Sequence, residues 1–225
     1  MDARFHSVFF DFDGTIGDTE RDIRGAWLSG LAELGLHCAR FDAVFRVGPS
    51  LPDTAKKLFP EASEAQLREI MTAYKRFYDE ADDYSALPYP GVMETISELA
   101  RRGSKIYIVT NKRSKPALKL VKKFGLSELC SGLFTPDSVS PGTPLTKTEL
   151  VGVALRVSCA PLPSRVLMVG DTEIDILSGR VHGLTTCAVT WGYGPAEKLA
   201  AAKPDFLIHA PEELLHLRCL SGTRR

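Results

Sequence analysis

Phe9-Phe10-Asp11-Phe12-Asp13-Gly14-Thr15-Ile16 is the stretch that decides the fold, because an apolar run meets two aspartates and a Gly-Thr turn there. The apolar run predicts a buried β-strand, and the Gly-Thr pair predicts a turn at its carboxyl end. Side chains two positions apart on a strand point the same way, so Asp11 and Asp13 are expected to lie close together. Open α/β sheets bind ligands at this end of their strands. Buried carboxylates so close together repel each other, and the pattern therefore requires a cation or a shared proton.

Three further segments carry polar residues that match this first one. Residues 106–111 (Ile-Tyr-Ile-Val-Thr-Asn) read as an apolar strand that ends in Thr-Asn. Residues 166–175 (Val-Leu-Met-Val-Gly-Asp-Thr-Glu-Ile-Asp) read as an apolar strand followed by Gly-Asp-x-x-x-Asp, and Lys147 lies between the two. Together with residues 11–15, these segments resemble motifs I to IV of the haloacid dehalogenase (HAD) superfamily. The resemblance covers nearly the whole chain and is closest to the phosphoglycolate phosphatase-like branch.

The rest of the chain alternates strand-like runs with helical patterns, which predicts an α/β fold with a parallel sheet covered by helices. The predicted strands are 7–10, 105–110, 132–135, 165–169, 185–190 and 205–208. The predicted helices that follow the first strand of this core are 91–102, 115–124, 147–156, 174–181, 196–201 and 212–216. The resemblance implies the same architecture, a Rossmann-like parallel sheet core.

Residues 17–87 interrupt this alternation, because they show the apolar spacing of helices and no strand pattern. We expect an all-helical cap domain at 17–87, inserted into an α/β core domain made of 1–16 and 88–225. The resemblance implies a C1 cap, a small helical lid placed just after motif I. Two chain crossings, near 16–19 and 86–90, would join the lid to the core with hinge-like geometry.

The composition excludes several classes of protein. Lys plus Arg and Asp plus Glu number 28 each, which gives no electrostatic argument for nucleic acid or a membrane surface as partner. No apolar run approaches the roughly 20 residues of a membrane span, and no signal-peptide segment is expected. The five scattered cysteines form no Cys-x-x-Cys pair, which disfavours zinc and a disulfide framework and favours a reduced, cytoplasmic compartment. The resemblance leaves both a monomer and a homodimer open.

The resemblance implies a catalytic function for each motif residue. Asp11 is the nucleophile that attacks phosphorus and forms an aspartyl-phosphate. Asp13 is the general acid and base, which protonates the leaving oxygen and later activates water. Thr110 and Asn111 donate hydrogen bonds to the transferring phosphoryl group. Lys147 neutralises the phosphate charge and holds Asp11 in position.

Mg²⁺ is the cofactor that the resemblance implies. Asp11 and Asp171 supply carboxylates and Asp13 its backbone carbonyl, while a phosphate oxygen and water complete an octahedral shell. Asp175 belongs to the same metal site and supports the shell by holding a water or Lys147. Hard oxygen ligands favour Mg²⁺ among the divalent metals.

Two other lysines, Lys112 and Lys115, closely follow the phosphate-binding strand and remain alternatives to Lys147. Lys147 is preferred because it begins a helix after a loop and lies at the distance from Asp171 that the family pattern requires. Its successor is Thr148, whereas many relatives have Lys-Pro at this point. The turn at 141–144 (Pro-Gly-Thr-Pro) is expected to fold over the site.

Substrate recognition is expected to involve the motif I turn and the cap. Gly14 and Thr15 are candidate substrate-binding residues, and Thr15 usually accompanies phosphatases in this family. In the cap, residues 46–51 (Arg-Val-Gly-Pro-Ser-Leu) resemble the cap loop of phosphoglycolate phosphatase-like members. Gly48 allows close backbone approach, and Ser50 is expected to cap the next helix. Either Arg46 or Arg24 is a candidate partner for a substrate carboxylate.

These features predict a Mg²⁺-dependent phosphatase that hydrolyses a small phosphorylated metabolite such as phosphoglycolate. The first alternative is a 5′-nucleotidase or pyrophosphatase of the same fold, followed by a β-phosphoglucomutase-like phosphotransferase. A phosphate-responsive binding protein without turnover is a further alternative, although such a protein has no need of Asp13. The segment Trp191-Gly192-Tyr193-Gly194 is expected to shape a loop near the site.

Overall fold

The computed structural model describes residues 4–138 and 144–219. The strands are β1 (Ser7–Phe10), β2 (Gly17–Asp18), β3 (Leu87–Pro88), β4 (Lys105–Val109), β5 (Cys130–Phe134), β6 (Val166–Gly170), β7 (Thr185–Val189) and β8 (Phe206–Ile208). The helices are α1 (Glu20–Glu33), α2 (Phe41–Val44), α3 (Leu51–Leu58), α4 (Glu64–Asp79), α5 (Val92–Arg101), α6 (Ser114–Lys123), α7 (Lys147–Ser158), α8 (Glu173–Val181) and α9 (Ala196–Ala202). Two 3₁₀ helices, Pro163–Arg165 and Pro211–His216, complete the described elements.

Six strands form one parallel sheet in the order β5-β4-β1-β6-β7-β8. Strand β1 lies at its centre, with Phe10 level with Ile108 on one side and with Val169 on the other. All four residues of β1 are buried, as expected for a parallel strand covered on both faces. Because parallel strands end at the same edge, the residues after β1, β4 and β6 are brought together there.

Successive side chains of β1 enter two different apolar cores, one on each face of the sheet. Phe9 packs with Tyr107 and Met168 in one core, where the Phe9 and Tyr107 rings meet edge to face at 5.4 Å. Val8 and Phe10 belong to the larger core on the opposite face. Helix α7, which carries Lys147, packs on the face of the sheet that includes Phe9. This packing fixes the helix against the central strands.

Residues 17–87 form a helical insertion, built mainly by packing α1 against α4. Gly30 of α1 approaches the backbone of α4 so closely that a Cβ at Gly30 would lie 2.9 Å from the Tyr74 nitrogen. The Trp27 and Tyr74 rings pack beside this contact with centroids 4.6 Å apart. A capping box formed by Ser63 and Gln66 begins α4.

The predicted α/β fold class is confirmed, and each of the six predicted core strands is present with ends shifted by two residues at most. Two details differ. The sequence predicted no strand at 17–87, yet Gly17–Asp18 pairs antiparallel with Leu87–Pro88 where the chain enters and leaves the insertion. A two-residue strand is too short to show an alternating pattern. The helix predicted at 212–216 is a 3₁₀ helix that begins at Pro211.

No helix within residues 4–138 and 144–219 combines the length and the apolar character that crossing a membrane requires. The division into a core domain and a cap domain stays a prediction. The turn predicted at 141–144 lies outside the described residues except for Pro144.

Candidate active site

The central strands end next to one another, and each is followed by a residue of the candidate site. Asp11 follows β1, Thr110 follows β4 and Asp171 follows β6. The turn after Asp11 brings the chain that follows β1 against Asp171, the residue that follows β6. Gly14 in this turn has a φ of +80° and packs against Asp171. A Cβ at Gly14 would lie 2.2 Å from Asp171 Oδ2, so no other residue fits there without displacing that carboxylate.

Lys147 is the first residue of α7 and reaches two buried carboxylates. Its Nζ lies 2.7 Å from Asp11 Oδ1 and 2.8 Å from Asp175 Oδ1. A capping box between Thr146 and Glu149 fixes the start of the helix and therefore the position of the lysine. Burial acts to lower the pKa of Lys147, but Asp11 and Asp175 outweigh this effect and hold the pKa above its usual range. Lys147 is therefore a permanent cation beside Asp11.

Asp171 is fully buried, and its carboxylate is held by neutral donors. Oδ1 accepts a hydrogen bond from Thr15 Oγ1 at 3.1 Å, and Oδ2 accepts one from the backbone N–H of Tyr193 at 2.8 Å. Burial, followed by repulsion from Asp175 and Asp11, raises the pKa of Asp171 well above its usual range. Ionisation of Asp171 would therefore add a buried negative charge that Lys147 alone does not balance.

Asp11, Asp171 and Asp175 together fit a divalent cation. Each offers a carboxylate oxygen, and these oxygens lie within 4.8 Å of one another. All three residues are buried, and carboxylate oxygens are the ligands that Mg²⁺ prefers. The donor set therefore matches the Mg²⁺ that the sequence predicted.

Asp175 has partners on both of its oxygens. Oδ1 faces Lys147, while Oδ2 accepts hydrogen bonds from Thr172 N at 3.1 Å and Thr172 Oγ1 at 2.7 Å. These contacts form the capping box at the start of α8. Of the two functions predicted for Asp175, holding Lys147 is the one seen here.

Asp13 is not among the three clustered carboxylates and has its own partners. Its Oδ1 accepts a hydrogen bond from Thr19 Oγ1 at 2.6 Å and lies 2.8 Å from Lys112 Nζ. The sequence predicted that strand alternation would turn Asp11 and Asp13 the same way, but β1 ends at Phe10. Beyond that point the chain turns back on itself, and Asp13 bridges to Gly17. Strand alternation therefore gives no argument for the direction of the Asp13 side chain, and the proximity of Asp11 and Asp13 stays a prediction.

Lys112 connects Asp13 with the helical insertion. Its side chain is 1% exposed, and its Nζ donates a hydrogen bond to the Tyr78 hydroxyl of α4 at 2.5 Å. The same ammonium group lies 4.6 Å from the centroid of the Tyr78 ring. A small cavity of about 60 Å³ opens beside these groups. Its lining includes Asp13, Trp27, Arg46, Gly48, Tyr74, Tyr78, Asn111 and Lys112.

The chain matches, over residues 8–189, the sequence model of the family described as haloacid dehalogenase-like hydrolase. The chain belongs to this family, the haloacid dehalogenase-like hydrolases. The assignment confirms the resemblance drawn from the four motifs and the prediction that the chain is a hydrolase of this type.

Individual relatives carry names from two phosphatase groups. The protein named pyrophosphatase PpaX from Bacillus thuringiensis (strain Al Hakam) is 33% identical over 213 residues, which cover 94% of this chain and 95% of that protein. A haloacid dehalogenase-like family hydrolase from Streptococcus pneumoniae superposes with a TM-score of 0.80 at 27% identity and covers 94% of this chain and 97% of its own. A structure titled as a predicted phosphoglycolate phosphatase from Haemophilus somnus 129pt shares the fold, with a TM-score of 0.80, 22% identity and coverage of 94% and 97%.

The HAD motif residues Thr110 and Asn111 lie at the end of β4 as the sequence indicated. Thr110 is buried, and its Oγ1 accepts a hydrogen bond from the Lys112 backbone at 3.2 Å. Asn111 Nδ2 donates to the Gly48 carbonyl at 3.0 Å, so this side chain connects the core with the insertion. Gly48 has a φ of +113°, a conformation that favours glycine.

The two candidate arginines differ in their surroundings. Arg46 lines the small cavity and donates a hydrogen bond to the Phe45 carbonyl at 2.5 Å. Arg24 forms an ion pair with Asp42 at the surface of the insertion. Ser50 caps α3 by accepting a hydrogen bond from Asp53 N at 3.3 Å, as predicted. Arg46 therefore stays a candidate for substrate contact, whereas Arg24 lies outside the cavity lining.

Sequence reasoning did not identify the residues that hold Asp13. The sequence presents Lys112 only as an alternative to Lys147. Lys112 directly follows the Thr-Asn pair, and the order of the strands, with β4 next to β1, would have placed it beside Asp13. Lys115 pairs with Glu80 at the surface. Thr19 lies six positions after Asp13, and nothing in that spacing marks the contact.

Proposed function

We propose that this chain is a Mg²⁺-dependent phosphatase that hydrolyses a small phosphorylated metabolite through an aspartyl-phosphate on Asp11. The observation that carries this proposal is that the two aspartates have different partners. Asp11 is paired with the buried ammonium of Lys147, while Asp13 is held by Thr19 and Lys112. Because the two carboxylates have separate sets of partners, one can attack phosphorus while the other exchanges a proton with the leaving oxygen and with water.

In the first step, a carboxylate oxygen of Asp11 attacks phosphorus while the bond between phosphorus and the leaving oxygen breaks. Asp13 gives its proton to that leaving oxygen. Lys147 keeps Asp11 in place and offsets negative charge at the phosphoryl group. Thr110 carries a hydroxyl and follows β4 at the same edge of the sheet as Asp11.

In the second step, water attacks the phosphorus of the aspartyl-phosphate and releases phosphate and the Asp11 carboxylate. Asp13, now ionised, accepts the proton of that water and is ready to act as an acid again. Thr19 and Lys112 fix the carboxyl oxygen Oδ1 of Asp13.

Mg²⁺ would be held by Asp11, Asp171 and the backbone carbonyl of Asp13. Asp175 would support this site through its contact with Lys147. When bound, Mg²⁺ supplies positive charge against the phosphoryl oxygens. Thr15 and the backbone N–H of Tyr193 orient Asp171 for this purpose through its two oxygens.

The cavity next to Asp13 favours a leaving group that carries negative charge. Lys112 and Arg46 line this cavity and would attract a carboxylate or a phosphate. Phosphoglycolate has such a leaving group and is our first candidate substrate.

Pyrophosphate is the second candidate, because its leaving group is itself a phosphate. The relative at 33% identity over 94% of this chain is named a pyrophosphatase. Both substrates place an anion beside Lys112, so the cavity alone does not rank one above the other.

Phosphate release from purified protein tests the proposal. The panel is phosphoglycolate, pyrophosphate, nucleoside monophosphates and sugar phosphates, each with Mg²⁺ and with EDTA. We expect Mg²⁺-dependent release from an anionic small substrate, and a loss of at least about 1,000-fold in kcat for Asp11→Asn. Glu173→Gln is the matched control, because Glu173 lies beside the cluster but pairs with Lys198 at the surface. Release that is unaffected by Asp11→Asn, or no release from any compound, contradicts the proposal.

A further inference from the structure

The first helix of the insertion begins without the usual help from its own N-cap side chain. Thr19 is the N-cap residue of α1, but its side chain makes no capping hydrogen bond. The Thr19 hydroxyl instead donates to Asp13 Oδ1 at 2.6 Å. The first N–H groups of a helix have no partner within the helix, so they require one from elsewhere.

A tyrosine from the core provides that partner. The hydroxyl oxygen of Tyr193 accepts hydrogen bonds from Thr19 N at 2.6 Å and from Glu20 N at 3.0 Å. The same hydroxyl donates to Asp18 Oδ1 at 2.8 Å. Tyr193 lies between β7 and α9, so a core loop caps a helix of the insertion.

The other end of Tyr193 is fixed to the proposed metal site. Its backbone N–H donates to Asp171 Oδ2 at 2.8 Å. The flanking glycines leave the loop no room to shift. A Cβ at Gly192 would lie 2.2 Å from the Gly14 carbonyl oxygen, and a Cβ at Gly194 would lie 1.8 Å from the Asp171 carbonyl oxygen. The loop is therefore packed against Gly14 and Asp171 at Gly192 and Gly194, on both sides of Tyr193.

We propose that Tyr193 is a positioning residue that sets α1 of the insertion against Asp171 and thereby frees Thr19 to hold Asp13. The chain of contacts runs from Asp171 through Tyr193 to the backbone of Thr19, and from the Thr19 hydroxyl to Asp13. The catalytic consequence rests on the proposed function, in which Asp13 carries the proton. The structural consequence, a helix capped in trans by a core residue, does not.

The chemistry of the phenol is consistent with this arrangement. Burial, followed by the hydrogen bonds to Asp18 and Tyr89, raises the pKa of Tyr193 above its usual range. The group therefore remains a neutral hydroxyl over the whole physiological range. A neutral hydroxyl can donate to Asp18 and accept from the backbone N–H groups of Thr19 and Glu20.

Tyr193→Phe tests the proposal, because it removes the hydroxyl and keeps the backbone N–H to Asp171. Tyr107→Phe is the control, since Tyr107 is a buried tyrosine in the core on β4 and makes no contact with α1 among the described hydrogen bonds. Asp18→Ala is a second comparison, because it removes the acceptor of the hydroxyl proton and leaves both capped N–H groups. Amide hydrogen exchange, read at the start of α1, is measured for all three variants with Mg²⁺ and with EDTA.

For Tyr193→Phe we expect exchange at Thr19 and Glu20 to be at least about fivefold faster, as for the loss of a helix cap. We expect kcat on the best substrate to fall by about tenfold, while the apparent Mg²⁺ affinity stays within twofold. Tyr107→Phe and Asp18→Ala are expected to leave exchange at these amides within twofold of wild type.

Unchanged exchange at Thr19 and Glu20 in Tyr193→Phe would overturn the proposal, whatever the activity. Equal acceleration in Asp18→Ala would also overturn it, because the effect would then come from the Asp18 contact and not from capping. The exchange measurement requires no turnover. If the wild-type protein releases no phosphate and the exchange result is as expected, the proposed function fails and the positioning by Tyr193 stands.

Discussion

Asp171→Asn is expected to stabilise the protein in EDTA and to remove its stabilisation by Mg²⁺. In the absence of a divalent cation, burial and repulsion from Asp175 and Asp11 raise the pKa of Asp171, so its ionised form is a cost to the folded state. Asparagine has nearly the same shape and removes the charge. Its oxygen can still accept from Tyr193 N, and its amide can donate to Thr15 Oγ1, so both existing contacts have a counterpart.

The stability that the variant gains in EDTA and the Mg²⁺ stabilisation that it loses are of similar size and opposite sign. Relieving one of three clustered carboxylates is expected to add about 1–2 kcal/mol to the free energy of unfolding. For a chain of this length, 1 kcal/mol shifts Tm by about 2–4 °C, so Tm in EDTA should rise by about 2–8 °C. Mg²⁺ at 100 times its Kd adds about 2.7 kcal/mol to the wild type. The order of the two proteins should therefore reverse when Mg²⁺ is added.

The advantage of the variant in EDTA also depends on pH. The pKa of Asp171 is higher in the folded protein than its value of 3.8 in the unfolded chain. The stability that the protonated carboxyl contributes is complete below pH 3.8 and is lost as pH rises through the folded pKa. The difference between variant and wild type should thus be small near pH 4 and grow towards neutral pH.

Differential scanning calorimetry of both proteins, with Mg²⁺ and with EDTA, measures these quantities at several pH values. Asp137→Asn serves as a control, because Asp137 is a carboxylate of the core outside the cluster. A variant that is less stable than wild type in EDTA would refute the reasoning about repulsion. Equal Mg²⁺ stabilisation of variant and wild type would refute the assignment of Asp171 to the metal site.

Two further substitutions, Lys112→Met and Gly30→Ala, are each compared with a control substitution. Lys112→Met should lower kcat/KM on pyrophosphate and phosphoglycolate by about 30-fold, or roughly 2 kcal/mol, because it leaves a buried carboxylate without its cation. Lys115→Met, at the surface, should stay within twofold in the same phosphate-release assay, and equal losses would contradict the assignment of Lys112 to the site. Gly30→Ala should destabilise by about 1–3 kcal/mol in urea unfolding, since its Cβ would meet the backbone of Tyr74. Gly25→Ala in the same helix meets no atom within 4 Å and should stabilise by about 0.5–1 kcal/mol, and a loss of stability there would contradict this.

The sequence predicted the parts of the site that local patterns determine. Asp11 and Asp171 each follow an apolar strand, and parallel strands end at one edge, so their proximity follows from the fold class alone. Lys147 was preferred because it begins a helix, and the structure places its Nζ 2.7 Å from Asp11. In each case a residue of interest lies at the end of a regular element, where its position is fixed by that element.

The contacts of Asp13 were not predicted, because they depend on irregular chain and on a long-range juxtaposition. Lys112 and Asp13 lie on loops after neighbouring strands, β4 and β1, and only the strand order brings them together. Tyr78 comes from α4 of the insertion, whose packing on the core has no signature in periodicity. Tyr193 meets Thr19 across 174 positions of sequence, and the glycines beside it suggested only a tight loop.

The two aspartates of motif I consequently depend on different parts of the molecule. Asp11 is held by Lys147 of α7, a helix of the core, and no residue of the insertion contacts it among the described hydrogen bonds and ion pairs. Asp13 is held by Thr19 at the entrance to the insertion and by Lys112, which itself contacts Tyr78 of α4. The proposed proton carrier is therefore held in part from the entrance to the insertion, whereas the proposed nucleophile is held from the core. In the proposed mechanism, this makes protonation of the leaving group the step that senses the insertion, which is also the part of the chain that encloses the leaving-group cavity.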